Sequence, residues 1–179
     1  MSIVSNVVKY ADLVNSGCVW QVKSATTACV IAVPTTAAIL GIQNGEADGG
    51  KSYVFLNVGA IEIANGATLA AFGLIYSIQL IKPATALTSD VVPTCVKPRV
   101  GTYGGNAIVD NAPTVVDNSW YPIARQGMVQ VASLFGGTIW EDISGLIVLP
   151  PGGVLALSAI GPATSTTVQI SAMWAEVNL

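Results

Sequence analysis

From Cys18 onward the apolar positions of the chain fall in short runs of Val, Ile, Ala, Leu and aromatic residues, separated by clusters of Gly, Pro, Asn and Ser. Runs of that length with such punctuation read as β-strands joined by turns. The pattern predicts strands at 18–23, 27–33, 36–42, 52–64, 68–82, 128–134, 145–149, 153–160 and 166–177. The last is the clearest, with Val168, Ile170, Ala172 and Trp174 in one phase and Thr167, Gln169, Ser171 and Met173 in the other, the alternation of a half-buried strand. In 52–64, Tyr53, Phe55, Ile61 and Ile63 share one phase, while Val54, Leu56, Val58 and Ala60 in the other are also apolar. Both faces of that strand are therefore expected to be covered, by a second sheet or by another subunit.

Eight or nine such strands predict an all-β fold, a two-sheet antiparallel β-sandwich or jelly roll. Turns at 150–153 (PPGG) and 161–164 (GPAT) predict an antiparallel C-terminal set of hairpin-linked strands. Two segments depart from the strand pattern. Residues 3–14 place Ile3, Val7, Tyr10, Leu13 and Val14 at helical spacing, with Ser5 or Asn6 as caps and Gly17 as a stop, which predicts an N-terminal arm or short helix over 1–16. Residues 83–127 are rich in Pro and Gly and read as a long loop excursion from a single jelly-roll domain spanning 17–179; segments of that kind inside a compact domain usually serve a function. With Lys82 just before it, this lobe holds four of the seven basic residues, Lys82, Lys97, Arg99 and Arg125, which are the candidate partner-binding residues.

Composition narrows the function. The 179 residues are 52% hydrophobic and 9% charged, against roughly 25% charged in an ordinary domain, and include no histidine. Without histidine the usual general base, the commonest zinc ligand and the Ser-His and Cys-His nucleophile pairs are all missing. Catalytic residues, cofactors and metals are accordingly expected to be none. So little charge cannot coat a monomer in the ordinary way, and much of the surface is expected to be interface. A net charge of −3 with no basic block removes the footprint of a nucleic-acid binder. Cys18, Cys29 and Cys95 show no CxxC spacing and read as apolar thiols. The uncharged stretches 24–44, 63–81 and 143–175 are long enough to span a bilayer, but each is broken by Pro, Gly or Asn, so no membrane partner is expected. The first residues lack a secretory pattern, so synthesis in the cytoplasm is expected.

Three motifs need their context. Gly45 to Ser52 fits GxxxxGK[ST] by letter, yet a phosphate-binding loop requires a following helix, and Tyr53 to Val58 is strand-forming; the stretch reads as a hairpin turn. Glu141 and Asp142 beside Trp140 suggest a carbohydrate-active pair, but neighbours on a strand point to opposite faces, so they read as turn or rim acids. Gly101 to Gly105 reads as a flexible loop. The four tryptophans, Trp20, Trp120, Trp140 and Trp174, are expected to be core or interface anchors.

The string GLIVLPPGGVLALSA over 145–159, followed by VQISAMWAEV over 168–177, resembles the closing hairpin of jelly-roll virion structural proteins of tailed bacteriophages, among them capsid decoration or cement proteins and some fibre heads. The resemblance implies a non-enzymatic virion subunit, a homotrimer whose partner is the major capsid protein or another virion protein. It also leaves two alternatives to weigh, a receptor-binding head and a metal-free jelly-roll carbohydrate-active enzyme. An enzyme would gather carboxylates of raised pKa in a concavity, a receptor binder would present a solvent-facing aromatic groove, and a cement protein would present flat apolar contacts.

Overall fold

The structure, a computed structural model, describes residues 10–64, 70–79, 86–97, 101–115, 119–128 and 137–179. Its strands in chain order are β1 (Val19–Lys23), β2 (Thr27–Ala28), β3 (Leu40–Asn44), β4 (Ser52–Ala64), β5 (Ala70–Gln79), β6 (Thr94–Cys95), β7 (Ala107–Asn111), β8 (Tyr121–Met128), β9 (Thr138–Asp142), β10 (Val148–Leu149), β11 (Val154–Ile160) and β12 (Thr167–Val177). They form two antiparallel sheets. Sheet A runs β10-β4-β12-β1-β6, with β9 continuing along the β10 edge of β4 and β2 along the β1 edge of β12; sheet B runs β7-β3-β11-β5-β8.

The chain changes sheet at nearly every connection, from β1 in A to β3 in B, β4 in A, β5 in B, and finally from β10 in A to β11 in B and β12 in A. This alternation is the jelly roll, and it corrects the expected hairpins. The turns at 45–51, 150–153 and 161–166 are corners between sheets: β10 pairs with β4, whereas β11 pairs with β3 and β5. Local turn chemistry is the same for a hairpin and a corner; what decides is that β10 and β11 each turn an apolar face into one shared core. Asn44, fully buried, clamps two of these corners together, its Nδ2 donating to Lys51 O at 2.8 Å and to Leu149 O at 3.0 Å. Gly152 N–H in turn donates to Asn44 O at 2.7 Å, with Gly152 at φ 80°, a conformation that glycine adopts without strain.

The inner faces meet in one large core, in which Trp174 lies fully buried between Tyr53 and Phe55, each ring centroid 6.0 Å away. The phase expected for β12 is the one observed. In β4 it is not. Met173 pairs with Asn57 but Trp174 with Phe55, so Leu56 is an extra residue, and this bulge shifts the phase of everything after it. Tyr53 and Phe55 point inward before the bulge and Val58 and Ala60 after it. Ile61 and Ile63, expected on the Tyr53 face, are displaced to the outside, 44% and 48% exposed.

Residues 83–127 are less of a loop than their composition suggests. They contribute β6 and β7, which widen sheet A beside β1 and sheet B beside β3 at the same edge of the sandwich, and most of β8 at the opposite edge. Pro-rich stretches on either side of β6 and β7 hid two strands too short to show a period. Of the strand expected at 128–134, only Met128, the last residue of β8, is described; the remainder lies outside the described residues, as do 80–85. The strand expected over 27–33 is the two-residue β2 followed by a single bridge at Val30, with Ile31 and Val33 exposed. β9 was not expected at all.

Of the N-terminal segment, 10–15 is helical and ends at Gly17, φ 78°, as its spacing predicts; residues 1–9 lie outside the described residues. Tyr10, Leu13 and Val14 pack on Val19, Leu56 and Ala175, on the outer side of sheet A. Tyr10 Oη donates to Ser144 Oγ at 3.2 Å, and Lys97 Nζ donates to Asn15 O at 2.6 Å. A lysine at the last carbonyls of a helix satisfies an orphan acceptor and complements the helix dipole. No helix among the described residues is long and apolar enough to cross a membrane.

Candidate functional site

The helix covers only one end of the outer side of sheet A. Beyond it the strand register sets side chains in two rows across the sheet. One row runs Trp140, Gly59, Ser171, Lys23, through the pairs β9 to β4, β4 to β12 and β12 to β1. The next runs Asp142, Asn57, Met173, Gln21, Thr94, the last by way of β6. Trp140, Ser171, Met173, Gln21, Lys23 and Thr94, with Val91 and Val92 at the rim, enclose a groove of about 470 Å³. It continues past Val92 and Thr94 into a hollow of about 290 Å³ reaching Lys97.

Trp140 shapes one end of this groove. A β-carbon at Gly59 would come within 2.7 Å of Trp140 Cε3, so the indole lies over the glycine and is held down on the sheet. Its other side faces solvent, leaving the residue 61% exposed. Gln21, Lys23 and Thr94 make no side-chain hydrogen bond or ion pair within the described residues, so their polar groups are available to a ligand. Among the described residues no carboxylate lines the groove.

Titratable groups gather elsewhere, and there they serve each other. At the corner end, Tyr103 Oη donates to Glu176 Oε1 at 2.6 Å and accepts from Ala107 N at 2.8 Å, while Lys51 Nζ stands 3.6 Å from Glu176 Oε2. Burial, followed by the bond to Glu176, pushes the Tyr103 phenol well above its ordinary range, and burial does the same to Tyr53. Lys51 thus neutralises a buried carboxylate, and the strand β4 follows it, so the phosphate-loop pattern has no helix to act with.

Among the described residues, Asp90 and Asp110 are the carboxylate pair with a raised member. Burial first, and then the Asp90 charge and hydrogen bond, hold Asp110 above the usual carboxylate range, against the N–H of Thr88, which donates to Asp110 Oδ2 at 2.7 Å. Neither aspartate lines the groove. Cys29 is pushed up to about 11 by burial and, less, by the Glu62 charge. Among the described residues no group of three or more Cys, Asp or Glu gathers to hold a metal ion.

Of the four candidate partner-binding residues, the two that are described lie apart. Lys97 sits beside the hollow with its ammonium spent on Asn15, Arg125 is exposed on β8 at the far edge of sheet B, and Lys82 and Arg99 lie outside the described residues. Glu141 and Asp142 are exposed on β9 rather than in a turn, and Asp142 Oδ1 accepts from Ser144 N at 2.9 Å and Ser144 Oγ at 2.7 Å. The residues that do converge, Trp140, Lys23, Gln21 and Thr94, come from three strands. Only the alternation of Thr138, Trp140 and Asp142 about the inward Ile139 signals in the sequence that Trp140 faces out.

Neither protein-family models nor curated proteins give a match to this chain. Among solved structures the chain is similar to a marine algae virus of the order Picornavirales, at 8% identity and a TM-score of 0.26, covering 92% of this chain and 71% of that one. It is also similar to tobacco necrosis virus, at 9% identity and a TM-score of 0.21 over 88% of this chain and 96% of that one. A third likeness is to the native virion of Kashmir bee virus, at 11% identity and a TM-score of 0.24 over 93% and 75%. The fold stated above rests on the strand order and not on likenesses of this size.

Proposed function

We propose that this protein is a non-enzymatic structural subunit of a virion, a decoration or cement protein of the tailed-bacteriophage kind that binds the capsid shell as a homotrimer. The observation that carries the reading is large apolar side chains left in water by a chain with little charge to cover them. Tyr121, Leu146 and Val148 are all exposed, Leu146 by 89%, in a chain with only seventeen charged residues. Exposed large apolar side chains on a protein too poor in charge to shield them suit a subunit that packs on something. A jelly roll by itself hosts many functions, so the fold lends the reading no more than compatibility.

Sedimentation at micromolar concentration is expected to find a trimer, and the protein is expected to copurify with particles in fixed stoichiometry. Leu146→Glu is expected to weaken both while leaving the fold intact. A well-folded monomer that does not accompany particles overturns the reading. A second reading, a receptor-binding head, is favoured by one specific feature, the solvent-facing indole of Trp140 in a groove free of carboxylates.

A further inference from the structure

We propose that the groove on sheet A binds a short acidic oligosaccharide, with one sugar ring stacked on Trp140 and a carboxylate or sulfate of the sugar held by Lys23. The proposal rests on the receptor-binding reading and gives that site its ligand class.

The geometry favours a sugar over a protein surface. A pyranose offers a flat face of C–H groups ringed by hydroxyls, and it binds where a fixed aromatic plane stands among free donors and acceptors. Trp140 is such a plane, because its indole is laid on Gly59 and cannot rotate into the sheet. The donors and acceptors are the Gln21 amide, the Thr94 hydroxyl and the Ser171 hydroxyl, whose bond to Gly59 O is a long 3.5 Å. They line a concavity rather than a flat patch, whereas an interface between copies would ask for flatness and apolar continuity.

Charge sets the class of sugar. Lys23 is the one charged residue lining the groove, and no carboxylate comes within ion-pair distance of it among the described residues. In a chain of net charge −3, a groove with a free cation and no acid complements an anion. Length follows from register. Trp140 and Lys23 are three strand spacings apart along one row, about 14 Å between backbones, and the indole leaning over Gly59 shortens the gap. That span suits two or three sugar rings, or one ring and a long acidic branch.

The test uses the full chain with 3′-sialyllactose and trigalacturonate as acidic probes and lactose as the neutral one, read by tryptophan fluorescence and ligand-observed NMR. At least one acidic probe is expected to bind at millimolar concentration or below, more tightly than lactose. Trp140→Ala is expected to weaken it by about tenfold or more, equivalent to about 1.4 kcal/mol, with Trp140→Phe recovering part of the loss. Lys23→Gln is expected to remove the preference for the acidic probe and its dependence on salt. Thermal melting of each variant reports whether it has folded. The proposal is overturned if no probe binds the wild-type chain, if both variants bind as the wild type does, or if Trp140→Ala lowers the sedimentation coefficient while no probe binds, which would make this face an interface between copies. Particle copurification is a separate readout, so failure of the sugar leaves the virion-subunit reading to stand or fall on its own measurement.

Discussion

The two sheets treat their outer faces in opposite ways. On sheet B the outer residues of β11, Val154, Ala156 and Ser158, are fully buried, and so is Ser77 beside them on β5. Their roof is the segment after β7: Val115 and Trp120 pack with Ala38 on Ala156, and a β-carbon at Gly41 would lie 2.8 Å from Pro113 Cγ. Small residues at these positions let a second layer of backbone come close. On sheet A the 10–15 helix roofs only the Val19, Leu56 and Ala175 end, and among the described residues the rest stays open around Trp140. One sandwich has thus been closed on one side and left half open on the other, and the open half is where unspent polar groups remain. The roofed side even buries Ser77 Oγ and Ser158 Oγ without a partner, a cost that dense packing must offset.

The largest effect should come from the wall that both faces share. Trp174→Ala is expected to destabilise by about 3–5 kcal/mol, the range for a large buried aromatic, as measured by urea unfolding. A smaller loss would mean that the two sheets do not depend on one core. Gly41→Val tests the roof of sheet B, because its side chain must displace Pro113; a cost of about 1–3 kcal/mol is expected. Met173→Leu on the half-open side should change stability by no more than about 0.5 kcal/mol, as surface substitutions do, and equal costs at the two positions would erase the contrast. Lys97→Ala releases the end of the helical roof and is expected to cost about 0.3–1 kcal/mol, seen as faster amide exchange in 10–17 before any change elsewhere.

The finest test is pH. Asp110, between β7 and the segment at 88–91, has its pKa raised in the folded chain, so the folded state holds that proton more tightly than the unfolded one. Its contribution is fully present below the ordinary carboxylate range and is lost as pH rises through the raised value. Asp110→Asn should therefore flatten the stability profile on the acid side; an unchanged profile would remove Asp110 from the account.

Much of this was legible along the chain where side-chain period and burial coincide. β4 occupies the residues that its apolar run predicts, β11 and β12 start one residue from their expected positions, and Trp174 lies inward in the phase read from Val168, Ile170 and Ala172. Gly17 stops the helix as its position suggests. The site was not legible. β9 has a single inward apolar residue, Ile139, set among Trp140, Glu141 and Asp142, too little for a period to register.

What the sequence alone determined is therefore the all-β class, the apolar phase of β12 and the shortage of charge, because these depend on residue type and on neighbours one or two positions away. Tertiary structure decided the rest. It made corners of the turns at 150–153 and 161–166, since sheet membership depends on which distant strand supplies the backbone partners. It placed Leu56 as a bulge and so turned Ile61 and Ile63 outward, because the extra residue is defined only against β12. And it set Trp140, Gly59, Ser171 and Lys23 in one row, a neighbourhood created by hydrogen-bond register between strands far apart in the chain, with 81 positions separating Gly59 from Trp140 and 148 separating Lys23 from Ser171.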